Sequence, residues 1–127
     1  MKVIGIGVDI VKNSRIKKSI LNKSFLYRVF TNKEIFISKN IKNKASYFAK
    51  RFAAKEAFVK SLGTGFRDGF NFKDISVIND KLGKPSFFIT KKIKKMIKNK
   101  IKTNRFNFFL SISDEKKYSI AFVILQK

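Results

Sequence analysis

The stretch RFAAKEAFVKSLGTG (residues 51–65) decides the fold, because it predicts a long helix that ends at a glycine. We expect this helix to run from about residue 45 to residue 62, with Gly63 as its C-cap. On a wheel of about 100° per residue, Glu56 falls among apolar side chains, with Lys60 beside it at i+4. The apolar side holds Phe48, Ala49, Phe52, Ala53, Ala57 and Val59, whereas Arg51, Lys55 and Phe58 face elsewhere. A carboxylate in such surroundings needs a cation, which is either Lys60 at the edge of the core or a bound ion.

The composition indicates one globular domain over residues 1–127. The chain has 127 residues, of which 44% are hydrophobic and 14% aromatic, enough to form a packed core. It contains no cysteine and no histidine, which excludes disulfides, thiolate metal sites and a histidine base. No apolar run approaches the ~18 residues of a membrane span, and no signal-peptide pattern is present. These features predict a cytoplasmic protein without a membrane span.

The charge balance has two interpretations. Thirty Lys and Arg residues against eight Asp and Glu give a formal net charge of +22. Such a charge favours a polyanionic partner, for example a nucleic acid, an acidic protein or a phosphorylated ligand. The excess is mostly lysine and accompanies many Ile, Asn and Phe residues, a composition that an AT-rich genome also produces. Composition alone therefore leaves open a small basic nucleic-acid-binding protein.

A second unusual carboxylate, Asp9, lies near the end of the apolar stretch KVIGIGVDIV (residues 2–11). This stretch predicts a buried first strand, with Ile4, Ile6, Val8 and Ile10 on one face. The other face holds Asp9 with Gly5 and Gly7, which leave room for a ligand or for another backbone. Asp9 is either a cap for the following loop or part of a site.

The remaining patterns complete an α+β fold with a largely antiparallel sheet and a long central helix. A helix through residues 15–30 is expected to start at an Asn13 or Ser14 cap and to direct Ile16, Ile20 and Leu21 inward. The other predicted elements are a capping box at TNKE (31–34), a break at 40–44, strands at 72–80 and 86–90, a helix at 91–102, and a hairpin of 106–113 with 118–125. The lysine-rich segment 91–102 is interpreted as a solvated helix with one apolar stripe.

Taken together, Asp9 and Glu56 suggest a metal-assisted phosphoryl-transfer site. Two hard oxygen ligands suit Mg²⁺, which keeps several waters and accepts substrate phosphates as further ligands. Lys60 would complement the phosphate charge, and the turn Gly63-Thr64-Gly65 would let backbone N–H groups approach a ligand.

Four motifs in order along the chain resemble the holo-[acyl-carrier-protein] synthase family of the 4′-phosphopantetheinyl transferase superfamily. They are GIGVDIV followed by Arg15-Ile16, then RFAAKEAFVKSLGTG, NDKLGKP, and SIS…YSIAFV. The resemblance implies transfer of the 4′-phosphopantetheine arm of coenzyme A to a serine of apo acyl carrier protein, with release of adenosine 3′,5′-bisphosphate. This is a Mg²⁺-dependent step of fatty acid and lipid biosynthesis.

The resemblance also implies roles for individual residues. Asp9 and Glu56 match the magnesium ligands, and Lys60 matches a lysine that contacts the pyrophosphate. Positions that match the lining of the coenzyme A cleft are Arg51, Lys55, Gly63, Thr64, Gly65, Lys84 and Pro85.

Further expectations from the resemblance concern partners and one departure. Arg15, with Lys18 and Arg28, matches the surface that docks the acidic carrier protein. Family members are typically homotrimers whose clefts lie between subunits. Many members carry His before the last strand, where this chain has Asp114 followed by Glu115. The base that deprotonates the serine is then a metal-bound water or Asp114, although Asp114 is also an ordinary residue for a hairpin turn.

Overall fold

The computed structural model describes residues 1–65 and 69–127 and shows the α+β fold that the sequence predicts. The elements in chain order are β1 (Val3–Lys12), α1 (Asn13–Ser19), α2 (Lys23–Val29), α3 (Asn32–Ser38), α4 (Lys44–Leu62), a 3-10 turn (Phe72–Asp74), β2 (Ile75–Asn79), β3 (Pro85–Ile89), α5 (Lys91–Ile101), β4 (Asn107–Asp114) and β5 (Tyr118–Gln126). Among the described residues, no helix is long and apolar enough to cross a membrane.

The strands form two antiparallel sheets. One sheet has the order β1-β5-β4, and β2 pairs with β3 in the other. The predicted β4–β5 hairpin is confirmed, with Asp114 opposite Ser119 at its closed end. In the register of β1 with β5, Asp9 lies opposite Ala121. Strand β1, which carries Asp9, is therefore at the edge of its sheet and pairs with β5.

Helix α4 is the centre of the fold, and both of its predicted ends are confirmed. Asn43 caps the N-terminus by accepting a hydrogen bond from Ser46 N (3.0 Å), and Gly63 adopts the left-handed conformation with φ of 75°. The helix is buried on nearly all sides rather than on one face. Phe58 and Lys55 are 0% exposed and Arg51 is 8% exposed, so the prediction that they face away from the core is wrong. The reason is that α4 packs against the three-stranded sheet, α1 and β2, and that Lys55 also contacts Val29 of α2 and Glu34 of α3.

The expectation that β1 is fully buried is also wrong. Its glycine face packs on α4, and a Cβ added at Gly7 would lie 1.9 Å from the backbone oxygen of Ala57. The opposite face is open, and Ile6, Val8 and Ile10 are 63%, 53% and 60% exposed. The glycines thus admit the helix backbone itself, which is one of the two alternatives that the sequence left open.

The predicted helix through residues 15–30 is two helices. Asn22 breaks it and caps α2, because its side chain accepts a hydrogen bond from Phe25 N (3.2 Å). Leu21, expected to point inward, lies in this break and is 82% exposed. The predicted cap is also wrong, since Lys12 precedes α1 and gives no side-chain cap. Asn13 instead donates from Nδ2 to the carbonyl oxygens of the β4–β5 turn.

The predicted capping box at Thr31 is confirmed, and its acidic residue, Glu34, also accepts a hydrogen bond from β2. Glu34 N donates to Thr31 Oγ1 (3.2 Å), and Thr31 N donates to Glu34 Oε1 (2.9 Å). The other oxygen, Glu34 Oε2, accepts a hydrogen bond from Val77 N of β2 (2.9 Å). Glu34 therefore joins α3 to the second sheet.

Candidate active site

The close approach of β1 to α4 brings Asp9 beside the helix. Gly7 and Asp9 lie on the same side of the strand, because strand side chains alternate. Lys60, from the last part of α4, donates a hydrogen bond from Nζ to Asp9 Oδ1 (3.1 Å) and to the carbonyl oxygen of Val8 (3.0 Å). The Lys60 side chain is half-exposed and the Asp9 side chain is largely covered. A strand carboxylate and a helix ammonium thus meet at a partly open edge.

Glu56 belongs to the same cluster. It precedes Lys60 by one helical turn, and its pKa is raised by burial and then by the negative charge of Asp9. The positive charges of Lys60 and Arg15 act in the opposite direction. Burial likewise raises the pKa of Asp9, whereas its hydrogen bond to Lys60 and the charges of Lys60 and Arg15 lower it. Two carboxylates and two cationic side chains therefore interact at one place.

The chemistry of this cluster fits a divalent cation. Burial disfavours the charged forms of both Asp9 and Glu56, and the charge of Asp9 further disfavours that of Glu56. A dication beside the two carboxylates would offset both effects. Within residues 1–65 and 69–127, no group of three or more His, Cys, Asp or Glu residues could hold a metal ion. A pair of carboxylates suits Mg²⁺, which commonly takes one or two protein carboxylates and completes its octahedron with waters and phosphates.

Arg51 lies at a different place, in the wall of a cavity of about 510 Å³. Its guanidinium covers the Tyr47 ring, with the carbon of the group 3.6 Å from the ring centroid. Its Nη1 donates to Tyr47 O (3.1 Å) and its Nη2 donates to Asn79 Oδ1 (2.8 Å). Its Nε is buried and has no hydrogen-bond partner in the described part of the chain. The cavity is also lined by Asn43, Ser46, Lys50, Gly83, Pro85 and Asp114.

Arg51 and Glu56 point to different sides of α4. Five residues separate them, which corresponds to about 140° around a helix and roughly 7.5 Å along it. The described residues that line the Arg51 cavity include neither Asp9 nor Glu56. Within one chain, the predicted site residues therefore form two groups rather than one.

Lys55 is not brought to either group. Its ammonium is fully buried and donates to Glu34 Oε1 (2.6 Å) and to the carbonyl oxygen of Val29 (2.8 Å). Burial lowers the pKa of Lys55, and the charge of Glu34 opposes that effect. In this structure Lys55 joins α4 to α2 and α3 and does not reach a ligand surface.

The two glycine-containing turns lie at the surface, with Gly63 and Gly83 exposed and Gly65 partly buried. Gly63 and Gly65 have φ of 75° and 62°, and a Cβ at either position would meet no atom of the described residues within 4 Å. Thr64 Oγ1 donates to Gly65 O (2.9 Å). In the β2–β3 turn, the backbone N–H of Lys84 donates to Asp80 Oδ1 (2.9 Å), which leaves the exposed Lys84 side chain directed to solvent.

The three residues predicted to dock a partner, Arg15, Lys18 and Arg28, are exposed on α1 and α2. Arg15 is also close enough to act on the charges of Asp9 and Glu56. Of the three residues, Arg15 is the one that the structure relates to the acidic cluster.

The two residues that contact the Arg51 guanidinium were not predicted as site residues. Tyr47 precedes Arg51 by four residues, and this spacing is a usable signal for an aromatic–guanidinium pair on a helix. Asn79 ends β2, and no local pattern shows that it meets α4.

The comparisons with known proteins define the class to which this fold and site belong. Residues 5–123 match the 4′-phosphopantetheinyl transferase superfamily, and the chain belongs to that superfamily. It is 66% identical over 127 residues to the holo-[acyl-carrier-protein] synthase of Pelagibacter ubique (strain HTCC1062), with 100% of this chain and 99% of the relative covered.

Solved structures agree with this family. The crystal structure of holo-[acyl-carrier-protein] synthase from Neisseria meningitidis matches with a TM-score of 0.89 at 37% identity, covering 99% of this chain and 100% of that chain. The holo-(acyl-carrier-protein) synthase from Bacillus anthracis str. Ames, in complex with CoA (3′,5′-ADP), matches with a TM-score of 0.80 at 34% identity, covering 97% of this chain and 96% of that one. The predicted family and fold class are confirmed.

Proposed function

We propose that this chain transfers the 4′-phosphopantetheine arm of coenzyme A to a serine hydroxyl of apo acyl carrier protein. Adenosine 3′,5′-bisphosphate leaves, and the reaction serves fatty acid and lipid biosynthesis in the cytoplasm. The observation that carries the proposal is the meeting of Asp9, Glu56 and Lys60 between β1 and α4 in a member of this superfamily. We take residues 1–127 as one transferase domain.

In this proposal, Asp9 and Glu56 would hold Mg²⁺. When bound, the ion would supply positive charge to the diphosphate of coenzyme A. This charge would favour attack of the serine oxygen on the phosphorus that carries the pantetheine arm, with the bond to adenosine 3′,5′-bisphosphate breaking as that product leaves. Lys60 is half-exposed beside Asp9, a position from which its ammonium can donate to a phosphate oxygen. Lysine acts on phosphate as a compact charge with rotatable donors, which suits a group whose charge changes during transfer.

We assign the nucleotide end of coenzyme A to the Arg51 cavity. Arg51 offers a buried Nε without a partner in the described structure, and Pro85 and Gly83 lie on the same cavity. The cavity of about 510 Å³ is of the size that holds small ligands, which is about 300–1,000 Å³. The turn Gly63-Thr64-Gly65 and the side chain of Lys84 complete the proposed coenzyme A cleft. The backbone N–H groups of Gly63 and Thr64 are already used at the end of α4, where they donate to Lys60 O (3.0 Å) and Val59 O (3.4 Å). Lys55 acts indirectly, by fixing α4 against Glu34.

The carrier protein is assigned to the exposed surface of α1 and α2. Arg15, Lys18 and Arg28 would meet acidic groups of the carrier, and Arg15 would place the incoming serine near Asp9. The net charge of +22 would attract both anionic substrates, so their encounter should slow as salt is added.

We further propose a homotrimer with active sites between subunits. The face of the three-stranded sheet opposite α4 is apolar and exposed, and this supports self-association. Its exposed residues are Ile6, Val8, Ile10, Phe109, Ile120 and Phe122. Because Arg51 and Glu56 lie on different sides of α4, a complete cleft needs one group from each of two neighbouring chains.

The nucleic-acid-binding alternative receives no support from the comparisons. Its main sequence feature, the lysine-rich segment 91–102, forms α5, which buries Ile93 and Ile97 and leaves its lysines in solvent. This is the arrangement of an ordinary surface helix.

Intact-mass spectrometry tests the proposed reaction. Apo acyl carrier protein is incubated with this chain, coenzyme A and Mg²⁺, and we expect the carrier to gain the mass of one phosphopantetheine arm. The gain should disappear when a chelator is added and when the serine acceptor of the carrier is replaced by alanine. Failure of the wild-type chain to add the arm under varied conditions would overturn the proposal.

A further inference from the structure

The Arg51 cavity contains one acidic wall residue among the described residues that line it. Lys50 and Arg51 bring positive charge to this cavity, and Asp114 brings a carboxylate. Asp114 ends β4, at the closed end of the β4–β5 hairpin. A carboxylate is unexpected in a cavity assigned to a phosphorylated nucleotide, because like charges disfavour binding.

The Asp114 carboxylate is held at the cavity by a specific contact. Ser46, in the first turn of α4, is 8% exposed and donates a hydrogen bond from Oγ to Asp114 Oδ2 (2.9 Å). Ser46 is itself fixed, because its N–H donates to the capping side chain of Asn43. The start of a helix also favours a negative charge. The Asp114 carboxylate is therefore held at the wall of this cavity.

We propose that Asp114 is a specificity-determining residue that weakens binding of the phosphorylated nucleotide end of the donor. The inference rests on the proposed function, which assigns this cavity to coenzyme A. The same repulsion acts on the leaving product, adenosine 3′,5′-bisphosphate, because it carries the same nucleotide. Asp114 thus lowers the affinity for substrate and speeds the departure of product.

The variant Asp114→Asn isolates the charge. Asparagine has nearly the same shape, and its carbonyl oxygen can still accept the hydrogen bond from Ser46 Oγ. The matched control is Glu115→Gln, which removes the same charge one residue away. Glu115 Oε1 accepts hydrogen bonds from Lys117 N and Tyr118 N within the turn, both at 2.9 Å, and glutamine can still accept them. Thermal unfolding of both variants verifies that each is folded.

The readouts are the Kd of adenosine 3′,5′-bisphosphate by calorimetry and the KM for coenzyme A in the transfer reaction. We expect Asp114→Asn to lower both roughly threefold to tenfold, as for a partly solvated charge pair, and Glu115→Gln to leave both nearly unchanged. Dephospho-coenzyme A as donor locates the phosphate concerned. If Asp114→Asn lowers the KM for dephospho-coenzyme A less than the KM for coenzyme A, Asp114 acts on the 3′-phosphate. If it lowers the two KM values equally, Asp114 acts on the diphosphate.

The outcomes separate this inference from the proposed function. Equal affinities of wild type and Asp114→Asn for the bisphosphate would overturn the role of Asp114, even if transfer is normal. An equal rise in affinity for the bisphosphate in Glu115→Gln would also overturn this role, because it would show that only the net charge of the protein matters. If neither the wild-type chain nor its variants modify the carrier, the proposed function fails. The calorimetric comparison of wild type with Asp114→Asn then still decides whether Asp114 repels the nucleotide.

Discussion

The variant Gly7→Ala should force β1 away from α4. An added Cβ would lie 1.9 Å from the backbone oxygen of Ala57 and 2.8 Å from the backbone nitrogen of Ser61, whereas ordinary contacts begin at 3.4 Å. The strand and the helix must therefore separate by about 1.5 Å at this point, because the interior is close-packed. No side-chain substitution on α4 can relieve the contact, since both clashing atoms belong to the backbone.

The cost of this separation should exceed that of ordinary overpacking. Extra methylenes in a packed core typically cost about 1–3 kcal/mol, and a contact with rigid backbone belongs at or above the upper end of that range. We therefore expect a loss of roughly 3 kcal/mol in the free energy of unfolding, which corresponds to about 10 °C in Tm for a domain of this size. Urea denaturation and thermal unfolding followed by circular dichroism measure both quantities.

The matched control is Gly63→Ala, in which the same methyl group meets no atom of residues 1–65 and 69–127 within 4 Å. It should cost only about 1 kcal/mol, for the left-handed conformation of that residue. If Gly7→Ala were no more destabilising than Gly63→Ala, the close packing of β1 on α4 would be refuted, and with it the reason that Asp9 meets Glu56.

Three further changes test other parts of the account. Lys55→Met should cost about 3–5 kcal/mol in urea denaturation, because it leaves the Glu34 carboxylate buried without its cation; a loss below about 1 kcal/mol would contradict that pairing. Glu56→Gln should abolish the rise in Tm that coenzyme A and Mg²⁺ together produce, and a rise equal to that of wild type would remove Glu56 from the metal site. Phe122→Asp should convert trimers to monomers in analytical ultracentrifugation, whereas Phe88→Asp, on the other sheet, should not; trimers in both variants would place the interface elsewhere.

The local parts of the fold could be predicted from the sequence. The capping box at Thr31 and the glycine C-cap at Gly63 depend on residues within one helical turn, so short patterns are sufficient to identify them. The β4–β5 hairpin is similarly local. In each case the interactions that form the element join residues close together in the chain.

The parts that failed depend on contacts between distant residues. A helical wheel assigns one buried face, and it could not show that Lys55 is buried by Glu34, which lies on another helix. The sequence predicts a buried β1 and leaves open whether a ligand or a backbone approaches its glycine side, and it is the α4 backbone that packs there. Alternation identifies two faces of a strand and does not say which face is covered.

For the candidate site too, the features that depend on local patterns could be predicted, and the contacts between distant residues could not. Asp9 and Glu56 could be predicted from the sequence because each interrupts an apolar pattern. A carboxylate in such surroundings is costly unless a cation meets it. The separation of Arg51 from Glu56 follows from helix geometry and could have been foreseen from their spacing of five residues. The contact of Ser46 with Asp114 (2.9 Å) could not, because it joins the start of a helix to a hairpin that lies far along the chain.

The central claim is that β1 and α4 bring Asp9 and Glu56 together to hold one divalent ion at the diphosphate of coenzyme A. Electron paramagnetic resonance of Mn²⁺, titrated in the presence of coenzyme A, measures this binding most directly. We predict a single bound Mn²⁺ ion per subunit in the wild-type protein and its loss in both Asp9→Asn and Glu56→Gln. Wild-type Mn²⁺ affinity in both variants would contradict the claim.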